Sequence, residues 1–390
     1  MCISDTHNCT VKLPKGDVLI HCGDLTNQGS YKELSKQVSW LEQADFECKI
    51  VVAGNHDLTL DTEFYRIYGS YRHNSVPQVA EDCQALLTEA KTLTYLVHES
   101  RTFQLTSPTG PRTTFSVFGS PWSPAWGGAW AFQYPPGNNQ YETNHAAKTL
   151  WGAIPLGTDI VITHGPAHTH CDESRSRSAA GCEILRQQLW RVRPRLALCG
   201  HIHEARGAER VRWDLESRNT RYAELGRTGW EDPNPDSEKN ALINLTAKGG
   251  APLDNDGSRY LSNSNSESKS KTESHQGASG RRAGQGTSGE GDEEEEIEKE
   301  AKYVAKPGIG TLGLRGQPDS ARRDREALAG RLGRRETCFI NCAIQHSSYP
   351  HSRGPSRRLN KPIVVDIDLP VWEGYDPPDL SSAPGSSDSI

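Results

Sequence analysis

Through the first two hundred residues one pattern recurs. A short apolar run, rich in β-branched residues, ends abruptly in a cluster of His, Asp or Asn, usually beside glycine. Cys2–Ser4 leads into Asp5-Thr6-His7, and Asp17–His21 (DVLIH) passes through Cys22 into Gly23-Asp24. Lys49–Ala53 (KIVVA) leads into Gly54-Asn55-His56-Asp57. Asp159–Thr163 (DIVIT) leads into His164-Gly165, and Leu196–Cys199 into Gly200-His201-Ile202-His203. Short continuous apolar runs closed by turn residues read as strands buried on both faces.

Helical patterns lie between them. Ser30 and Glu33 have capping-box spacing, and Tyr31, Leu34, Val38 and Leu41 then fall on one helical face. Gly181–Val192 predicts a second helix, with Ile184, Leu185, Leu189 and Val192 on one side, stopped before Pro194. Further strands are expected at Arg101–Leu105, Thr113–Gly119, Val211–Asp214, Thr337–Ala343 and Pro362–Asp368. Buried strands alternating with helices imply an α/β class (α+β in its segregated form), a sandwich of sheets and helices. In such folds ligands collect at the carboxyl ends of strands, which is where every polar cluster above falls.

Composition changes the picture after residue 216. From Ser217 to Arg335 the chain is mostly Ser, Gly, Asn, Arg and Glu, with a run of five acids at Asp292–Glu296. Such a segment cannot offset the entropy of folding. The expected organisation is a catalytic core at 1–216, a long, mostly disordered insertion at 217–335, strands rejoining the core at 336–372, and a disordered tail at 373–390. Loop closure cost grows slowly with length, so an insertion of this size is tolerable. About 270 residues remain outside the insertion, enough for one large core.

A net charge of −6 argues against a general nucleic-acid binder. It leaves room for a phosphate substrate, because metal ions can supply the positive charge. The ten cysteines form no CxxC pair, which points to free thiols in a reducing, cytoplasmic compartment. No apolar stretch reaches the roughly 20 residues of a membrane span, and no leader peptide is visible. Met1 is the chain's only methionine, and only three residues lie between it and Asp5. The expectation from this is that the start of the first strand lies upstream of the sequence.

The candidate metal ligands at the strand ends are Asp5, His7, Asp24, Asn55, His164, His201 and His203. Mixed carboxylate and imidazole ligation suits Mn²⁺ first, or Fe or Zn²⁺, over Ca²⁺. Seven ligands exceed the need of one ion, whereas two divalent ions about 3.5–4 Å apart and sharing a carboxylate fit the number. Asp24, with two oxygens to share, is the natural bridge. Each motif alone is unspecific: an Asp-x-His triplet is common by chance, and a lone strand-end histidine is more often structural. Five such motifs in this order, each after an apolar run, are specific.

The motifs DTH, GD, GNHD, THG and GHIH resemble the calcineurin-like metallophosphoesterases. GDVLIHCGDLTNQG, KIVVAGNHDLTLD, FGSPWSP, DIVITHGP, RPRLALCGHIHE and NKPIVVDIDLP more closely resemble its metallophosphoesterase-domain-containing (fetal-brain protein 239 type) subfamily, over about 1–215 and 336–372. The resemblance implies a four-layer αββα sandwich. It implies that Asp5, His7 and His203 bind one metal, that Asn55, His164 and His201 bind the other, and that Asp24 bridges. It further implies that His56 lies beside the metals with Asp57 orienting it. GDLTNQG lacks the Asp-Arg found at this motif in the Ser/Thr protein phosphatases, so that activity is not carried over.

The expected chemistry is a metal-dependent phosphoric ester hydrolase acting on small phosphodiesters, with cyclic nucleotides as candidates from the resemblance. A metal-bridging hydroxide would attack phosphorus, with His56 as general acid. Trp122 and Trp126, on a Gly/Pro-rich loop with Trp130, are candidates for stacking on a base; the alternative is that they close the core. His168-Thr169-His170-Cys171 reads as a surface loop, with His170 or Asp172 as outside candidates for the pocket. His21 reads as a satisfied core histidine, and Cys338 and Cys342 as core thiols. The rivals are a phosphomonoesterase or nuclease of the same site, and a non-catalytic metal-binding scaffold whose insertion binds partners. Intact GNHD and GHIH motifs count against the scaffold.

Overall fold

The computed structural model describes residues 1–73, 75–125, 127–135, 142–217, 220, 222–233, 240–255, 333–347 and 358–372. Two sheets stack face to face. The first has six strands in the order β13 (Ala241–Leu245), β15 (Ile363–Ile367), β1 (Cys2–Ile3), β2 (Val18–Cys22), β3 (Cys48–Val52) and β4 (Thr94–Tyr95). The second has seven, in the order β12 (Glu224–Gly229), β11 (Gly207–Trp213), β14 (Glu336–Asn341), β10 (Leu196–Cys199), β9 (Ile160–Thr163), β6 (Thr114–Ser120) and β5 (Glu99–Gln104). The central strands β1, β2 and β3 are mutually parallel, as are β14, β10, β9 and β6. Two further short strands, β7 (Ser123–Pro124) and β8 (Gln133–Tyr134), pair with each other.

Alternation along each central strand sorts its side chains into different layers. Ile20, Cys22, Ile50 and Val52 meet Val117, Ile160, Ile162, Leu196, Leu198, Cys338 and Ile340 in a core between the sheets. The intervening Leu19 and Val51 face the other way, onto α1 (Tyr31–Glu42) and α3 (Ala80–Thr88), through Leu34, Val38, Leu41, Cys83 and Leu87. From the second sheet Val161, Ala197 and Phe339 face α4 (Glu142–Gly152) and α5 (Glu183–Val192), through Trp151, Leu185 and Leu189. The result is the expected four-layer αββα sandwich. Burial on both faces is why these strands read as unbroken apolar runs.

The capping box forms: Ser30 accepts from the Glu33 amide and the Glu33 carboxylate accepts from the Ser30 amide. At the end of α5, Arg193 is left-handed (φ 51°), as befits a residue that Pro194 bars from continuing the helix. A helix with no sequence expectation, α2 (Thr62–Arg72), is capped by the Asp61 carboxylate on the Phe64 amide.

The segment 217–335 is not featureless. β12 pairs with β11 at the edge of one sheet, and β13 pairs with β15 at the edge of the other. Composition hid β12 because it is mostly exposed, and β13, though apolar (ALINL), is a short run inside a long polar segment. Disorder expected for Ser262–Gly291, for Asp292–Glu296 and for 373–390 falls outside the described residues. No helix among the described residues is long and apolar enough to cross a membrane. All ten cysteines are free thiols, and Cys338 and Cys342 are buried in the core as expected.

Candidate metal centre

All the candidate ligands lie just beyond the carboxyl ends of parallel strands, His203 at the start of a short 3-10 turn. Asp5 and His7 follow β1, Asp24 follows β2, Asn55 follows β3, His164 follows β9, and His201 and His203 follow β10. The chain turns sharply there. Asp5 (φ 53°), His7 (φ 43°), Asp24 (φ 53°) and His201 (φ 67°) are all left-handed. That conformation is strained for most residues, and its clustering here marks a functional site. Two glycines make room. A Cβ on Gly54 would lie 2.3 Å from Asp24 Oδ1, and one on Gly200 would lie 2.2 Å from Asp5 Oδ2.

The ligand atoms gather into two groups, Asp5 with His7 and His203, all buried, and buried Asp24 and His164 with half-buried His201, each within 4.8 Å. Asp24 Oδ2 faces both groups, lying 3.6 Å from His7 Nε2 and 3.4 Å from His164 Nε2. Its other oxygen accepts from the His56 amide at 2.8 Å. Asn55 joins the second group, its Oδ1 being 3.0 Å from His164 Nε2. Asp5 ties the two sheets together, accepting from the His201 amide at 3.1 Å and facing His203 Nε2 at 3.1 Å.

Three histidines share one device. His7 Nδ1 donates to the Thr26 carbonyl (3.0 Å), His164 Nδ1 to the Cys22 carbonyl (2.9 Å), and His203 Nδ1 to the Ser347 carbonyl (2.7 Å). A backbone acceptor on Nδ1 fixes the tautomer and leaves Nε2 as the ligand atom, the usual support for a metal-binding histidine. Donor types, burial and orientation therefore fit two divalent cations.

Charge agrees. Burial alone would raise Asp24, yet His164, His56 and His7 facing it hold it well below the usual carboxylate range. Asp5 is likewise buried and held low by His203 and His164. Burial would depress His164, but Asp24 pushes it up to about 9. His201 goes down to about 3 through burial and then the neighbouring His164.

The expected Asp57–His56 pairing does not occur. His56 Nδ1 rests on the Asn27 carbonyl at 2.9 Å. Asp57 instead accepts from the amides of Leu25, Thr26 and Gly54 and from the Thr26 hydroxyl. It joins the two ligand-bearing loops rather than orienting the histidine. Its carboxyl is pushed up to about 7, by burial and then by Asp24. Adjacency in sequence suggested the pairing, but consecutive side chains in a tight turn diverge.

Trp122 packs edge-on to Phe132 at 6.0 Å, between two of the cores, which is the core-closing alternative. Trp126 lies outside the described residues. Among the described residues Trp130 lies at the site, 4.2 Å from the His56 ring. His170 is not on the surface. It is fully buried, stacked on Phe339 at 4.1 Å and bonded to Glu209 (2.7 Å) and Glu224 (3.2 Å). Asp172, also buried, accepts from the amides of Thr169 and Gly181. His21 is the expected satisfied core histidine, between Thr6 Oγ1 and the Gly23 amide.

A sequence model of the calcineurin-like phosphoesterases matches residues 2–205. The chain is 39% identical over 218 residues to metallophosphoesterase domain-containing protein 1 of Homo sapiens and of Mus musculus, covering 53% of this chain and 61% of each of those. It is 38% identical over 232 residues to a probable rhamnogalacturonate lyase C of Emericella nidulans, covering 59% of this chain but 19% of that protein. The chain thus spans only part of the curated relatives it matches. Among solved structures, a purple acid phosphatase from yellow lupin (Lupinus luteus) seeds is similar at a TM-score of 0.27 and 12% identity, over 59% of this chain and 35% of that one.

Proposed function

The chain belongs to the calcineurin-like phosphoesterase family, and from that premise we propose that it hydrolyses small phosphodiesters at a dinuclear metal centre. Likeness to the metallophosphoesterase domain-containing proteins supports the subfamily. In this reading Asp5, His7 and His203 hold one divalent ion, Asn55, His164 and His201 hold the other, and Asp24 is shared. The observation that carries it is Asp24 Oδ2, which has one histidine from each group within 3.6 Å. Mn²⁺ is the first candidate, with Fe or Zn²⁺ next, on the mixed oxygen and nitrogen donors. When bound, two such ions lower the pKa of water and clamp the phosphoryl oxygens.

The chain's own groups do the rest. The Asn27 carbonyl holds His56 Nδ1 as a donor, which leaves Nε2 to carry the proton for the leaving alkoxide. Asp57, bonded to Leu25, Thr26 and Gly54, fixes the loops that present Asp24 and Asn55. The left-handed turns at Asp5 and Asp24 aim both carboxylates inward. The catalytic unit in this proposal is 1–216 with 336–372, completed by the edge strands β12 and β13. Net charge −6 supports a small substrate over a nucleic acid, and cyclic nucleotides are the candidates. Free thiols support a reducing, cytoplasmic setting.

The test is hydrolysis of bis-p-nitrophenyl phosphate with added Mn²⁺, set beside Asp24→Asn, with metal content measured on both. Metal-dependent turnover that disappears in the variant is expected. Two bound metals with no diester turnover would sink the phosphodiesterase reading and turn attention to monoesters or to a scaffold.

A further inference from the structure

The His56 ring is held on more than one side, and one of its contacts belongs to neither ligand group. Trp130 lies 4.2 Å from it, the planes inclined by 38°. The Arg72 guanidinium sits 4.2 Å from the same indole and also donates to the Ala129 carbonyl. Arg72 closes the last turn of α2 and has no carboxylate partner among the described residues. A second tie joins the same two segments, the Phe132 amide donating to Asp61 Oδ2 at 2.8 Å while Asp61 Oδ1 caps α2. The Trp130 loop is closed at its base by Ser123 to Phe132 (3.0 Å) and Ala125 to Tyr134 (2.8 Å) bonds.

We propose that Trp130 is a positioning residue for His56 and that Arg72 locks Trp130 in place, so that the Arg72–Trp130–His56 stack sets the aim of the general acid. This rests on the phosphodiesterase reading above. A hydrogen bond at Nδ1 does not by itself fix the plane of an imidazole ring. A ring packed against it adds that restraint. Both His56 and Arg72 pack on the Trp130 indole, so the indole links the end of α2 to the histidine. Aim matters because a displacement of about 1 Å at a reacting group costs up to about 10²-fold.

The stack makes a distinctive prediction for turnover. Trp130→Ala should lower kcat about 10- to 100-fold on a diester with a poor leaving group such as phenoxide. The loss should be smaller on p-nitrophenoxide, which needs less protonation. Trp130→Phe should keep most of the activity, and Arg72→Ala should lose about 3- to 10-fold, with nothing further lost on top of Trp130→Ala. In a His56→Ala background, Trp130→Ala should cost less than about twofold.

A second readout needs neither metal nor turnover. The His56 ring-proton NMR signals, shifted by the nearby indole, should move to ordinary positions in Trp130→Ala and stay shifted in Trp130→Phe. A full Trp130→Ala loss in the His56→Ala background, equal losses across leaving groups, or unmoved His56 signals would each make Trp130 a packing residue and overturn the proposal. If Trp130→Ala does not fold, Arg72→Ala carries the same tests. A wild-type enzyme that binds metal but cleaves no diester would sink the phosphodiesterase reading alone, since the NMR arm would still decide the stack.

Discussion

Two buried regions of this molecule are rich in histidine and acid, and they are built differently. At the proposed metal centre each of His7, His164 and His203 gives Nδ1 to a backbone carbonyl and turns Nε2 toward other donors. At His170 both nitrogens face carboxylates, Glu209 and Glu224. Those carboxylates belong to β11 and β12, so His170 clamps the loop after β9 onto the sheet edge. Arg186 and Arg227 complete the second cluster on Glu224, which His170 and then Arg227 bring down to about 2 against the effect of burial. In the first region His7, His164, His201 and His203 converge on two carboxylates, with His56 beside them. In the second, every charge already has its counterpart. A buried histidine is ready for a metal when its second nitrogen faces other donors, and it is structural when both nitrogens are satisfied by acid.

The comparison is broken most severely at Asp24. Asp24→Asn should lower metal content from two ions to fewer than one per chain, with turnover down by about 10³-fold or more. Full occupancy in that variant would remove the shared-ligand role. His56→Ala should lower kcat about 10²–10⁴-fold with both metals retained. Metal loss there would instead make His56 a ligand.

His170→Ala should do the reverse. Glu209 would lose its imidazole partner and Glu224 would keep only its arginines, at a cost of about 3 kcal/mol in a urea melt, while metal content and turnover of the folded protein stay near wild type. Loss of metal in this variant would erase the distinction between the regions. The two are physically adjacent, since Asn341 Nδ2 donates both to the Cys171 carbonyl (3.1 Å) and to the Ile202 carbonyl (2.8 Å). A modest indirect effect on metal affinity, about threefold or less, is therefore expected.

The smallest effect is in pH. Glu209 and Glu224 hold the folded His170 above its ordinary 6.5, against burial. A raised folded pKa contributes stability that is complete below the unfolded value and fades as pH rises through the folded one. The stability difference between wild type and His170→Gln should therefore be full below about pH 6 and shrink above about pH 7. A difference that grows with pH would mean His170 is neutral in the fold.

Much of the centre was legible because each motif is local. A strand buried on both faces must be apolar throughout, so the first polar cluster after it marks the strand's carboxyl end, as at Val18–Cys22 before Asp24 and Ile160–Thr163 before His164. Capping at Ser30 is equally local. The partners of those residues were not legible. Asp57 looked like the orienter of its neighbour but serves Leu25, Thr26 and Gly54. His170 looked solvated because Ser, Arg and Asp surround it in sequence, yet Phe339 and two distant glutamates bury it. β12 was lost because a mostly exposed edge strand is defined by whom it pairs with more than by its own hydropathy, and β13 because its five-residue apolar run stands alone in a long polar segment.

Sequence by itself determined the class of fold, the strand ends and the residue types that a metal would meet, because burial and turn chemistry act within a few residues of chain. Only the tertiary structure decided that Asp5 meets His203 across the two sheets, that Asp24 stands between both groups, and that Trp130 packs on His56. Those are contacts between segments far apart in the chain, fixed by how the sheets stack, and no local pattern carries that information.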